Sequence, residues 1–247
     1  MWEDFLLYMA VGLAAQMVDG AIGMAYGVTT SSMLLSFGIP PATASACVHA
    51  AETVTTGVSG LAHWKLGNID KKLVVRLAIP GMIGGMAGAY VLSNIDGTRI
   101  KPLVAAYLLV MGAYILWQAL RPAPENRNPP ENVAPLGLVG GFMDSIGGGG
   151  WGPIVTTTLI GRGAAPRYAI GSVNLAEFFV TLTISATFLF TIGLDLWPII
   201  TGLIAGGVIA APFAALVTKH LPDKPLMILV GCVIVLLSLR TLLTALH

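Results

Sequence analysis

The sequence predicts an all-α polytopic membrane protein built as two inverted-topology repeats of five segments each, and three observations lead there. The first is composition: of 247 residues, 55% are hydrophobic and 10% charged, against roughly a quarter charged in soluble domains. Mean hydropathy is +0.82, so lipid is the expected solvent. The second is duplication. Shifted by 125 residues, 19–56 lies on 144–181 without a gap, matching Asp19 to Asp144, Gly23 to Gly148, Gly27 to Gly152, Pro41 to Pro166, Glu52 to Glu177 and Thr56 to Thr181. Duplicated units with glycine-rich interruptions in apolar sequence are a common membrane architecture. The third is the distribution of basic residues between loops, which sets orientation.

Apolar runs at 5–18, 24–37, 41–63, 73–92 and 102–120 make the first repeat, 1–120. Runs at 133–143, 150–161, 166–190, 197–217 and 225–246 make the second, 133–247. Between them, 121–132 is a polar linker, kept extended by prolines at 122, 124, 129 and 130. The first two runs of each repeat hold only about 11–14 residues, roughly 16–21 Å of helix against a hydrocarbon core of roughly 30 Å. Each pair is expected to form a short re-entrant hairpin or a broken helix pair, with breaks at Asp19-Gly20 and Asp144–Gly150 near the midplane. Non-helical backbone at that depth survives only against protein or a water-filled cavity.

Five segments per half turn the second repeat over. One side then collects Lys65, Lys71, Lys72, Arg76, Arg121, Arg127, Arg162, Arg167, Lys219 and Lys224, ten of the thirteen basic side chains, and the other keeps Arg99, Lys101 and Arg240. Four segments per half would split them seven to six and leave no signal. The positive-inside rule therefore favours five, with the linker cytoplasmic and both termini outside. A fully crossing pair in place of each hairpin has the same parity, so loop charge leaves that choice open.

Asp19 and Asp144 mark the breaks, followed by Gly20, Gly23 and Gly27 in one copy and by Gly147, Gly148, Gly149, Gly150 and Gly152 in the other. Glycine allows close backbone approach, and a half-helix starting there points free N–H groups and its positive dipole end at the midplane, which suits an anion. The alternative is that glycine only permits tight packing and aspartate only caps the second half-helix. Glu52 and Glu177 fall mid-segment, where a bare charge costs at least roughly 2.5–3.5 kcal/mol, so they are expected to face a cavity or a partner. His49 and Asn174 lie three residues earlier on the same face. With Asp19, Asp144, Glu52, Glu177 and His49 as candidate proton carriers, the set reads as a relay. The plainer reading is a neutral glutamate bonded between helices. Thr29 and its hydroxyl neighbours, with Tyr26 and Trp151 at one repeat position, could line the site, or could back-bond and pack.

Asp70 and Asp195 each precede a fourth segment and read as N-caps. Gly57-Val58-Ser59-Gly60 spells the GxSG of rhomboid-type intramembrane proteases. Its repeat positions read Leu182-Thr183-Ile184-Ser185 and no later apolar segment carries a histidine, so hydrolysis is not expected. Cys47 and Cys232 sit in apolar runs as thiols. The start Met1-Trp2-Glu3-Asp4 lacks the basic region of a secretory leader, and the first run is expected to be retained. A net charge of +1 gives no reason to expect nucleic acid, and no cofactor is expected.

Gly147-Gly148-Gly149-Gly150-Trp151-Gly152-Pro153, the tail His63-Trp64-Lys65-Leu66-Gly67-Asn68-Ile69-Asp70 and the duplicated layout resemble the sulfite exporter TauE/SafE family of membrane permeases. The resemblance covers essentially the whole chain, and the tail is more specific than the glycines. It implies transport of sulfur-containing anions, sulfite or organosulfonates, across the bacterial inner membrane. The first hairpin departs from the glycine run with Gly23-Met24-Ala25-Tyr26-Gly27, which puts substrate choice there and at His49 against Asn174.

The expected function is proton-coupled secondary transport of a small oxyanion, with Gly23, Tyr26, Gly27, Thr29, Gly148, Gly149, Gly150, Trp151, Gly152 and Asn174 around it. Its expected partners are the anion, protons and the bilayer, with a homodimer as one assembly to test. An anion beside four carboxyl groups is repelled unless some are protonated. The competing classes are a cation or metal permease using the Asp, Glu and His side chains as ligands, and an anion channel built on the paired hairpins.

Overall fold

The computed structural model describes residues 2–22, 24–121, 132–193, 196–217 and 223–246. Among them it contains ten α-helices and no strand: α1 (Trp2–Ile22), α2 (Tyr26–Ser36), α3 (Pro41–Lys65), α4 (Lys71–Ser93), α5 (Gly97–Ala119), α6 (Ala134–Gly147), α7 (Thr157–Gly161), α8 (Pro166–Thr191), α9 (Trp197–Val217) and α10 (Asp223–Leu246). A π-helical stretch, Gly152–Thr156, runs directly into α7. The order is that of the ten apolar runs. Gly23, Asp195 and most of the linker lie outside the described residues.

The helix starts follow from local chemistry. Prolines open α3, α6 and α8 in their first turn, where the missing N–H has no intrahelical partner to lose. The carboxylate of Asp70 accepts from the N–H groups of Lys72 (2.9 Å) and Leu73 (3.2 Å), and that of Asp96 accepts from Thr98 and Arg99, capping α4 and α5. The turn before Asp70 docks on the second half, since the Asp70 N–H donates to Ser172 Oγ at 2.8 Å.

α4 and α5, with 23 residues each, and the stretches Tyr168–Thr191 and Met227–Ala245 are long and apolar enough to cross a bilayer. Phe5–Met17, Gly152–Gly161 and Trp197–Ala210 are shorter apolar helices. α3 has 25 residues, but Ser45, His49, Glu52 and a run of threonines make it too polar for that set. One boundary differs from expectation. The first helix does not stop at Asp19-Gly20: α1 continues to Ile22 and has 21 residues, whereas its repeat mate α6 has 14. The aspartates lie inside the ends of these helices, and the described non-helical residues follow them, at 24–25 and 148–150.

The halves exchange partners. α1 packs on α9 and its mate α6 packs on α4, while α3 meets α8 and α5 meets α10. Small residues permit the approach: a Cβ on Gly12 would stand 2.4 Å from the Leu203 carbonyl oxygen, and one on its mate Gly137 would stand 2.7 Å from the Leu77 carbonyl oxygen. In a bilayer, where lipid tails are as apolar as the side chains, such backbone proximity is a principal source of helix association. The exchange places both breaks between α3 and α8, where the glutamates are.

Candidate functional site

Each break is spanned by its own aspartate. Asp19 Oδ1 accepts from the N–H groups of Ala25 (2.8 Å) and Tyr26 (3.2 Å), and Asp144 Oδ1 accepts from Trp151 N–H at 2.9 Å. The capping role is thus present in both repeats. It leaves Asp144 Oδ2 for a second bond, to His49 Nε2 at 3.1 Å. His49 is fully buried and Asp144 nearly so. The other ring nitrogen, Nδ1, lies 2.7 Å from the Ser45 carbonyl oxygen. A carbonyl can only accept, so Nδ1 carries a hydrogen, and the Nε2 to Oδ2 contact then contains one proton, on the ring or on the carboxyl.

The second break is held at several further points. Gly148 ends α6 in the left-handed region at φ +65°, a conformation that favours glycine. Its carbonyl accepts from Ser31 Oγ of the first hairpin, the next carbonyl, Gly149, accepts from Tyr107 OH at 3.1 Å, and the Ser145 carbonyl accepts from Ser45 Oγ at 2.6 Å. Beyond the break, Pro153 supplies no N–H, and its own carbonyl accepts from Thr157 Oγ1. The helix widens there into its π stretch, a local geometry frequent at functional sites. At the first break the Tyr26 hydroxyl donates to the Leu203 carbonyl at 3.3 Å, tying α2 to α9.

The two breaks meet backbone to backbone. A Cβ on Gly149 would fall 2.2 Å from Val28 N and 2.7 Å from Gly27 Cα, and one on Gly27 would fall 2.9 Å from Glu52 Oε1. Only glycine permits this crossing. Asp19, Tyr26, Gly27, Glu52, Asp144, Gly149, Gly150, Gly152 and Glu177 all line the small space that remains, joined by Met24, Ala25, Val28 and Pro153. That space is about 10 Å³, close to what one water requires, so anything larger enters only if the hairpins separate. Glu52 is 4% exposed, and its Oε2 has no hydrogen-bond partner among the described residues.

Several expected site residues stand elsewhere. Trp151 is fully buried, its ring lies against the positions where Gly81 and Gly140 lack a Cβ, and its Nε1 donates to the Val173 carbonyl. It packs behind the crossing. Asn174 Nδ2 donates to Ile170 O of its own helix, so the repeat mate of the His49 bond does not form. Thr29 is buried beside the lining, with its hydroxyl unpartnered among the described residues. Gly148 supports the crossing from behind, and Gly23 lies outside the described residues. Gly57 and Gly60 abut Phe178 and Leu175 of α8, which accounts for the GxSG spelling as helix packing. No three His, Cys, Asp or Glu side chains among the described residues are grouped to hold a metal.

Tyr107 carries no mark in the sequence. It lies in an ordinary apolar run, and the residue 125 positions on is Cys232, which is exposed, so duplication could not flag it. Ser45 was equally hidden, with Ile170 at its repeat position.

A family model described as Sulfite exporter TauE/SafE matches residues 8–241. The chain is also similar to "Probable membrane transporter protein YtnM" of Bacillus subtilis (strain 168), at 44% identity over 249 aligned positions covering 97% of this chain and 83% of the relative. No solved structure matches.

Proposed function

The chain belongs to the sulfite exporter TauE/SafE family and is a membrane transporter, and from that premise we propose that it moves a small sulfur-containing oxyanion, sulfite or an organosulfonate, across the inner membrane together with protons. The observation that carries this reading is the closed crossing: two half-helix starts converge on one point that four carboxyl groups also line. The half-helix ends and glycine backbone suit an anion. The carboxyl groups suit one only when protons accompany it, because like charges in a dry site repel strongly.

In this mechanism Glu52 and Glu177 bind protons as the anion enters, and the His49–Asp144 contact passes one more between the repeats. Thr29 donates from the side. The inverted arrangement of the repeats, with the linker cytoplasmic and both termini outside, lets one hairpin open to each side, and rocking one repeat against the other exchanges access. The exchanged packing of α1 on α9 and α6 on α4 supports that symmetry. The test is sulfite flux in proteoliposomes at several pH values, with wild type and Glu52→Gln/Glu177→Gln. Saturable sulfite uptake whose pH dependence disappears in the double variant is expected. Unchanged pH dependence removes the coupling, and Ni²⁺ or Co²⁺ binding without sulfite binding removes the anion.

A further inference from the structure

Away from the crossing, two cavities adjoin on the outside of the protein. One, of about 660 Å³, is lined by Lys71, Lys72, Arg76 and Tyr168, with Val133 and Leu159 among its apolar walls. The other, of about 430 Å³, is lined by Val75, Ile79 and Pro80 along α4 and by Asn132 to Ala134. Arg76 and Val133 border both, so a basic chamber continues into an apolar groove.

Charge and depth are consistent along this path. Among the described residues that line the chamber, the acidic side chain is that of Asp70, whose carboxylate accepts from N–H groups of α4. Lys71 Nζ stands 5.6 Å from the centre of the Trp64 ring, and Trp64 is exposed, a pairing that marks the headgroup level of a bilayer. Below Arg76, the exposed side chains Val75, Ile79, Ile83, Met86 and Tyr90 recur at helical spacing down one face of α4.

We propose that this is a binding site for an anionic phospholipid. The phosphodiester headgroup sits among Lys71, Lys72 and Arg76, and one acyl chain follows the groove past Val75 and Ile79. A small oxyanion would leave most of 660 Å³ unfilled, whereas a glycerophosphate headgroup has both the size and the tethered chain that the second cavity accepts. Basic pockets between membrane helices commonly take such headgroups. The chamber draws its cations from α4 and its walls from Val133, Leu159 and Tyr168 of the other half, so a bound lipid bridges the two repeats. This assignment is independent of which substrate the crossing carries.

The full chain, purified in a neutral detergent, is titrated with phosphatidylglycerol or phosphatidylcholine while bound lipid is counted by native mass spectrometry and Tm is recorded. Phosphatidylglycerol is expected to bind and raise Tm more than phosphatidylcholine. Each of Lys71→Gln, Lys72→Gln and Arg76→Gln should weaken that preference about fivefold, Lys71→Arg/Lys72→Arg should keep it, and Ile79→Asn should weaken it without removing charge. Equal binding of both lipids, or a preference untouched by all three Gln variants, overturns the site. Protection by glycerophosphoglycerol or inorganic phosphate at the same concentration overturns the lipid and leaves a free-anion chamber.

Discussion

His49 and Asp144, ninety-five residues apart in sequence, are joined by one hydrogen bond of 3.1 Å between two buried side chains. Because Nδ1 is committed to the Ser45 carbonyl and Asp144 Oδ1 to Trp151 N–H, the bond links a helix of the first repeat to the break of the second. Moving its proton from ring to carboxyl turns an ion pair into a neutral pair without breaking the geometry.

That constraint separates two substitutions at Asp144. In Asp144→Asn the amide oxygen can still accept from Trp151 while its NH₂ donates to His49 Nε2, so the fold is retained and the proton is locked. Asp144→Ala instead leaves Trp151 N–H and His49 Nε2 without their partner in a dry site, at about 1–3 kcal/mol. Unfolding in detergent should therefore show Asp144→Asn near wild type and Asp144→Ala clearly weaker. Flux by Asp144→Asn should lose its pH dependence, and a preserved pH profile would show that this proton is not the coupled one.

Gly149→Ala places a methyl group 2.2 Å from Val28 N, with backbone rather than a flexible side chain in the way. The hairpins must part, and we expect about 1–3 kcal/mol of lost stability together with loss of transport. Gly161→Ala is the control. A Cβ there meets nothing within 4 Å, and alanine favours a helix over glycine by up to about 1 kcal/mol. Thermal unfolding and flux of the pair should diverge, and equal behaviour would mean that the crossing is not a close contact.

Tyr107→Phe removes the hydroxyl that donates to Gly149 O and abuts Gly150, and keeps the ring edge that packs at Gly147. The cost should be about 1 kcal/mol, with the helices intact by circular dichroism. Because Gly149 lines the crossing, substrate KM should move more than the stability does. A variant with wild-type KM would reduce Tyr107 to packing.

Hydropathy and the 125-residue repeat together made the ten segments, the break after Asp144 and the four carboxyl groups of the crossing legible from the chain alone, because helix length and apolar runs are local properties of sequence. Asp70 was legible as a cap for the same reason, since its partners are two and three residues away. The aspartates are legible only in part. They are helix-end residues whose carboxylates reach across the break, so the interruption falls several residues later than their position suggests.

What only the tertiary structure decided is which of these groups meet. His49 finds Asp144 while its repeat mate Asn174 turns back to its own helix, Tyr107 reaches Gly149 where the mate is Cys232, and Trp151 packs behind a crossing that Tyr26 lines. Duplication specifies equivalent positions along two chains of contacts. Packing between the halves then tests each pair of unequal side chains separately, and charge, size and the need to satisfy buried polar atoms select a different partner on each side. The sequence by itself determined a duplicated helical membrane protein with acidic breaks; the crossing of those breaks, and the single proton held beside it, belong to the fold.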